Sequence, residues 1–431
     1  MSMLLLILSM LLLMFLCYKG VPPFYSAFMA GLFLLITAGL PPVNSMITTY
    51  TQGLSGNFGN FFFVFAFGAI FGKLSEVSGA AESIAQVIGE KLGEKHVVLA
   101  ILIALAIMSY GGISFFVAFF AVYPMMVSLF RKINLSRSLM PGIYFAGTGS
   151  FTIVLPGSPQ LHNLIPIPFL GTNPMSGAIP GFIAGFVYMA LVLIYVFWAV
   201  RNSRKKGQTF EMTKADEELL AKQEGKKRPN ALLAIMPMAV LLILLNGLKL
   251  RPEVALLGGV LAGLIFYFKF IDWKNVWKTL EAGLLDGVKA LFVVSSMVGF
   301  GALAQLTPAF QTILDKLTHI GGNPLIASAM TVALICGIIG GGTGGLGVAM
   351  PIITKYFVPM GVNLSALHRV CVFAGVSLGQ LPHNAIVNMV IGLCGSTPKK
   401  AYIHQFVIAV LLPSICAALV TAICILFPGW V

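Results

Sequence analysis

Two stretches concentrate polar side chains inside an otherwise apolar chain. Residues 155–163 (LPGSPQLHN) place Ser158, Gln160, His162 and Asn163 beside two prolines and a glycine. Proline removes an amide and clashes with the preceding turn, so no continuous helix is expected through Pro156 and Pro159. Residues 379–388 (GQLPHNAIVN) match them: an apolar run broken by Pro382, with Gln380, His383, Asn384 and Asn388 around the break. Amides, hydroxyls and the amide-bearing ends of interrupted helices are suited to holding a carboxylate and several hydroxyls. Inside a bilayer such breaks are tolerated only where protein or a water-filled cavity satisfies the freed backbone. Paired interruptions in corresponding places of two halves point to the binding site of a secondary transporter.

Two further interruptions fall in apolar runs. Residues 97–130 are too long for one perpendicular span and are broken at 109–114 (SYGGIS), while residues 325–349 carry GGGTGG at 340–345. Each run is read as a re-entrant hairpin whose tip brings backbone close to a ligand or a neighbouring helix. The tips contribute Gly111, Gly112 and Ser114 in the first half and Gly342, Thr343 and Gly344 in the second. The second tip lacks the Gly-Lys-Ser/Thr ending of a phosphate-binding loop, which argues against a nucleotide. His162 and His383 are the histidines in the breaks, and imidazole ordinarily titrates near neutrality. Each is a candidate for proton coupling, for pairing with an anionic substrate, or for a structural hydrogen bond. His368 and Arg369 are expected either to attract anions at an outer mouth or to face lipid headgroups.

The rest of the chemistry is narrow. The sequence has no HExxH motif, no nucleophile elbow and no carboxylate pair at a plausible cleft, and its six cysteines show no metal-ligand spacing. The expectation is a non-enzyme with no cofactor and no bound metal. Only 10% of the 431 residues are charged and 58% are apolar, far from the roughly 25% charge of a soluble domain. The net charge of +13 sits mainly in short loops, as expected for cytoplasmic retention of Lys and Arg, and does not call for nucleic acid.

These groups must be positioned by membrane helices. Residues 2–17 and 24–40 are read as the first two spans, the first a retained helix rather than a signal peptide because no basic n-region precedes it. A polar, Gly-rich stretch at 41–59 then leads to a third span at about 60–74, followed by an amphipathic segment at 76–95. Residues 201–230, with nine Lys/Arg and five Asp/Glu, are the natural cytoplasmic linker. Beyond it the pattern recurs: Pro124 and Pro351 are offset by 227 residues, and Asn134 and Asn363 by 229. The expected fold is an all-α polytopic membrane protein built as an inverted repeat with two re-entrant hairpins and two broken helices. Residues 1–20 form an extra N-terminal transmembrane helix, 22–200 the first repeat, 201–230 the linker, 231–252 a connecting transmembrane helix and 253–428 the second repeat. Counting basic loops gives ten crossings, with both termini outside.

Residues 147–171 (GTGSFTIVLPGSPQLHNLIPIPFLG), with Thr172-Asn173, Leu381-Pro382-His383-Asn384 and Cys394-Gly395, resemble the gluconate permease family of the ion-transporter superfamily. The resemblance extends over most of the chain from about Gly53. It implies import of gluconate or a related hydroxy acid such as 3-hydroxybutyrate, or of D-serine, generally by proton symport. It also implies a homodimer in the cell (inner) membrane, with an interface scaffold and a mobile transport domain moving elevator-fashion. Carried onto this chain, the binding region is 158–163, 381–384 and the two hairpin tips. This chain has His162 where the family pattern leads one to expect a second glutamine or a similar residue. The second tip also lacks the Ser-Asn-Thr pattern of the sodium–dicarboxylate relatives. The alternatives are a sodium-coupled carboxylate symporter and a cation/proton antiporter; the latter needs a buried carboxylate that the spans do not offer.

Overall fold

The computed structural model describes residues 2–19, 21–92, 96–113, 115–214, 216–217, 228–310, 312, 323–382 and 384–431. Among them every regular element is helical. Helices α1 (Ser2–Tyr18) and α2 (Pro23–Thr37) are followed by α3 (Pro42–Val77), which is 36 residues long and continuous. The polar, Gly-rich stretch at 41–59 is helical from Pro42 and runs without interruption into the span expected at 60–74. A π-helical turn at Met46–Tyr50 lies within it, and Gly53 packs against Ala302 and Gly299.

The short α4 (Ala80–Leu92) precedes a helical hairpin, α5 (Val97–Tyr110) and α6 (Phe115–Lys132). An interrupted helix follows: α7 (Met140–Thr148), a kink at Gly149 and Ser150, and one turn at Phe151–Val154. Beyond the break come two further single turns, Leu161–Leu164 and Ile167–Leu170, before the long α8 (Ala178–Lys205). Helices α9 (Ala231–Leu242) and α10 (Pro252–Phe266) come next. The order long helix, hairpin, interrupted helix, long helix then recurs. It runs through α11 (Val276–Gln305), the hairpin α12 (Pro324–Ile339) and α13 (Gly342–Tyr356), then α14 (Leu364–Ser377), a break, and α15 (Ala385–Leu393), to α16 (Pro398–Leu426).

Helices α3 and α11 run antiparallel along most of their length. Asn57 Nδ2 donates to Ser295 Oγ at 3.0 Å, Gly53 lies against Ala302, Phe65 against Gly287 and Ile70 against Gly283. Gly283 and Gly287 form a small-xxx-small face, which lets backbones approach where lipid provides no hydrophobic drive for helix association. Among the described residues four helices are long and apolar enough to cross a membrane: α3, α8, the stretch Trp273–Gln305 containing α11, and α16. Large apolar side chains such as Ile194 (67% exposed) and Ile265 (71%) point outward. A continuous apolar exterior of this kind suits hydrocarbon and not water.

The linker is partly anchored. Asp216 is buried and receives the Arg137 guanidinium, the Tyr123 hydroxyl (2.9 Å) and both the amide and hydroxyl of Thr213 (2.8 and 2.7 Å). Arg137 also donates to the carbonyls of Glu211 and Cys394, each at 2.9 Å. One arginine thus ties the linker to the end of α15 in the other half of the chain.

Candidate substrate site

The first break is held by protein groups. Pro156 and Pro159 prevent helix at 155–160, and the freed carbonyls find donors elsewhere. Tyr110 Oη donates to Pro156 O at 2.8 Å and Asn246 Nδ2 to Gly157 O at 2.9 Å, while Gly157 N donates to Pro174 O at 2.9 Å. Gln160 Nε2 reaches back to the carbonyls of Ser109 and Ile113, joining the break to the first hairpin tip. Gly112, at φ +91°, packs between Leu241 of α9 and Pro159, and Gly111 lies against Met238 of α9. Ser158 is fully buried, with Oγ facing the Gln160 amide at 3.4 Å.

Asn163 closes the break. Its Nδ2 donates to Ser158 O (2.9 Å) and Pro174 O (3.0 Å), and its Oδ1 accepts from Arg369 Nη1 (3.0 Å). His368 Nε2 lies 3.2 Å from the same Oδ1, so Nε2 carries the proton and Nδ1 accepts from the Thr172 hydroxyl at 2.7 Å. Arg369 spends its remaining donors on Val154 O, Pro174 O and Ser176 O at 2.7–3.1 Å. Both residues are fully buried, which corrects the expectation of an outer mouth or a headgroup contact. The sequence points to Arg369 but not to its place at the first break. Its signal is a cation within the apolar run that forms α14, where a charge is costly and has to be held.

The second break uses a different staple. Asn384 caps α15, its Oδ1 accepting from Ile386 N (2.7 Å) and Val387 N (3.1 Å), and its Nδ2 donates across the break to Gly379 O at 2.7 Å. Asn388 Nδ2 donates to Pro382 O at 2.7 Å, and Tyr402 Oη to Gln380 O at 3.3 Å. Gln380 is 8% exposed, and its buried Oε1 has no hydrogen-bond partner.

Three of the four sequence-picked segments meet at the start of α13. A Cβ added to Gly342 would collide with His162 Nε2 from the first break and come within 2.6 Å of Gly375 O from α14. One added to Gly379, in the second break, would come within 2.7 Å of Gly342 N. His162 Nε2 is buried there without a hydrogen-bond partner. The first-turn amides of a helix have no intrahelical acceptor and carry the positive end of its dipole. Gly344 is buried in this turn and Thr343 half-buried. The first tip joins only indirectly, through Gln160, and packs on α9 instead. Ser114 and His383 lie outside the described residues. Thr152 bonds back across the kink to carbonyls of α7 and shares a hydrogen bond with Ser109 Oγ, and Ser377 bonds to a carbonyl of its own helix. Among the described residues the arrangement offers first-turn amide donors and an unpartnered imidazole, with Gln380 next in the chain to Gly379, and no carboxylate at the meeting point.

Long apolar helices, an apolar exterior and broken helices converging on a buried polar point define a multi-pass transporter of the inner membrane. The GntP family permease profile matches residues 1–226, slightly more than half the chain, and the chain belongs to that family. It is 27% identical to the uncharacterized transporter YxjC of Bacillus subtilis over 460 aligned positions, covering 95% of this chain and 96% of YxjC. A shorter stretch, 22% of this chain and 21% of its relative, is 31% identical to a gluconate permease of B. subtilis. Among solved structures the YdaH transporter of Alcanivorax borkumensis superposes with a TM-score of 0.60 over 90% of each chain at 14% identity, a likeness of fold.

Proposed function

We propose that the protein is a secondary active transporter importing a small hydroxylated monocarboxylate, of the gluconate or 3-hydroxybutyrate type, by proton symport. The observation that carries this is the meeting of both breaks at Gly342, where the amide end of α13 lies against the unpartnered His162 Nε2 and against Gly379, the chain neighbour of Gln380, whose Oε1 is also unpartnered. The carboxylate is received by the first-turn amides of residues 342–344, and the substrate hydroxyls by Thr343, Gln380 and His162. A site built on hydroxyl hydrogen bonds rejects analogues without them, because its own groups are then left unpaired. Ser158, Asn163 and Asn384 shape the breaks; their polar atoms are engaged with backbone in this conformation and become ligand groups only if the breaks rearrange. Gly111, Gly112 and Ser114 belong to the tip that closes the first break.

His162 is the proton carrier at the convergence, and His383 is its counterpart in the second break. Importing an anion alone costs roughly 2.3 kcal/mol per 100 mV, and one co-transported proton removes that cost. The name of the B. subtilis gluconate permease supports the substrate class. The recurring element order and the antiparallel pairing of α3 with α11 support an inverted repeat of residues 22–200 and 253–428, with re-entrant hairpins α5–α6 and α12–α13. The linker 201–230 and the helix at 231–252 connect the repeats, and residues 1–20 form the extra N-terminal span. The hairpins and broken helices make up a transport domain moving elevator-fashion against a homodimeric scaffold.

The test is uptake by proteoliposomes of gluconate, 3-hydroxybutyrate, lactate, citrate and D-serine, each under an imposed proton or sodium gradient. Proton-driven uptake of hydroxy monocarboxylates is expected. Uptake that requires sodium and ignores the pH gradient would transfer the coupling to the sodium alternative, and no uptake of any hydroxy acid would refute the reading.

A further inference from the structure

The two buried arginines are treated differently by the fold. Arg137 and Arg369 each stand near the start of an interrupted helix and reach carbonyls just after the break in the opposite half, Cys394 O for Arg137 and Pro174 O and Ser176 O for Arg369. Arg137 is neutralised by Asp216. Arg369 is met only by neutral acceptors: three backbone carbonyls and Asn163 Oδ1 use all five of its N–H groups. Among the described residues no carboxylate hydrogen-bonds to it. Gly177 and Gly181 of the first half clear the space its stem occupies, so the charge is built in and fixed. An uncompensated buried charge is normally eliminated or paired, because removing it from water is costly.

We infer that Arg369 is the charge-selecting residue of this carrier: a fixed cation that makes the site prefer an anion over its uncharged analogue without touching it. The assignment rests on the carboxylate reading above. Its link to the site is structural: Asn163, bonded to Arg369, is the chain neighbour of His162, and Arg369 stands six residues before Gly375 on α14, the residue whose carbonyl abuts Gly342. At an effective dielectric of about 20, a unit charge roughly 9–10 Å from an anion favours it over an uncharged analogue about 20-fold. The bonds to Val154, Asn163, Pro174 and Ser176 also make Arg369 a positioning residue for the first break, so the test has to separate charge from hydrogen bonding.

The experiment measures gluconate uptake kinetics and inhibition by uncharged gluconamide in proteoliposomes bearing wild type, Arg369→Lys, Arg369→Gln or Ser176→Asp. Ser176→Asp sets a carboxylate next to the guanidinium while keeping the Ser176 carbonyl and an acceptor for the Asn173 amide, which now bonds the Ser176 hydroxyl at 3.0 Å. Expected are a roughly 20-fold rise in gluconate KM with little change in Vmax for Ser176→Asp, an unchanged inhibition constant for gluconamide, and the same loss of preference in Arg369→Gln. Arg369→Lys keeps the preference. If Ser176→Asp retains the wild-type preference for gluconate over gluconamide, or Lys and Gln at 369 lose it alike, the assignment is overturned. Should the Arg369 variants fail to fold, Ser176→Asp decides by itself. Wild type that transports no hydroxy acid overturns the carboxylate reading and this assignment together, whereas wild-type uptake with unaltered selectivity in Ser176→Asp overturns this assignment alone.

Discussion

Gly287 of α11 stands so close to Phe65 of α3 that a Cβ on the glycine would lie 2.6 Å from the Phe65 carbonyl oxygen. The obstacle is backbone in the middle of a long helix, so it cannot swing aside. Gly287→Leu is therefore expected to force the two helices apart and to destabilise the fold by about 1–3 kcal/mol or more. Gly392→Ala, which would meet open space, should be neutral. Thermal melting of the purified protein in detergent compares the two; equal melting temperatures would refute the role given to this contact.

Gly341 and Gly342 are neighbours with opposite tolerance. A Cβ at Gly341 meets nothing within 4 Å, whereas one at Gly342 strikes His162 and the Gly375 carbonyl. Gly341→Ala should transport within about threefold of wild type, and Gly342→Ala should lose uptake by at least about tenfold, since a shift near 1 Å at a positioned site costs on the order of 100-fold. Initial uptake rates normalised to the amount of reconstituted protein test this pair.

Uptake is expected to rise as external pH falls from about 8 to about 6, the range in which imidazole ordinarily changes charge. His162→Gln retains a hydrogen-bonding side chain and removes the titratable ring, so its pH profile should flatten. A wild-type profile in this variant would return His162 to a structural role and leave proton coupling to another group.

Asp216 gives a pH signature of a different kind. Burial favours its neutral form, but hydrogen bonds from Thr213, Arg137 and Tyr123 outweigh this and hold the carboxyl below the usual carboxylate range. A folded-state value below the unfolded one, near 3.9, contributes stability that is present above that value and lost as pH falls through the folded value. This group should leave the melting temperature level between pH 8 and about pH 5 and lower it below about pH 4. Asp216→Asn should be destabilised already at neutral pH, because Arg137 then lacks its counter-charge, and should lack that part of the acid-dependent loss. Melting temperatures measured across pH for both proteins decide the point.

Much was legible in the sequence because the physics is local. A run of apolar residues long enough to span hydrocarbon reads as a helix, and prolines at 156, 159 and 382 read as breaks wherever the rest of the chain lies. The α5–α6 and α12–α13 turns were marked by their glycines, and the family by the residues around the first break. That the polar stretch 41–59 is helix was not legible locally, because glycine and polar residues carry no helical period; within a helix packed along another, Gly53 supplies close approach and Asn57 a partner for Ser295.

The sequence by itself determined that the chain spans a membrane, where its helices break and which polar residues lie at those breaks. Composition and spacing act over a few turns and leave their trace in neighbouring residues. Only the tertiary structure decided which of those residues are free. Asn163 and Asn384 look like ligands in the sequence but are engaged in stapling their breaks, while His162 Nε2 and Gln380 Oε1 are left unpartnered. It also placed Arg369, 206 residues from Asn163, on the Asn163 oxygen. Hydrogen-bond satisfaction in a dry interior is settled among groups far apart in the chain, and no local pattern records it.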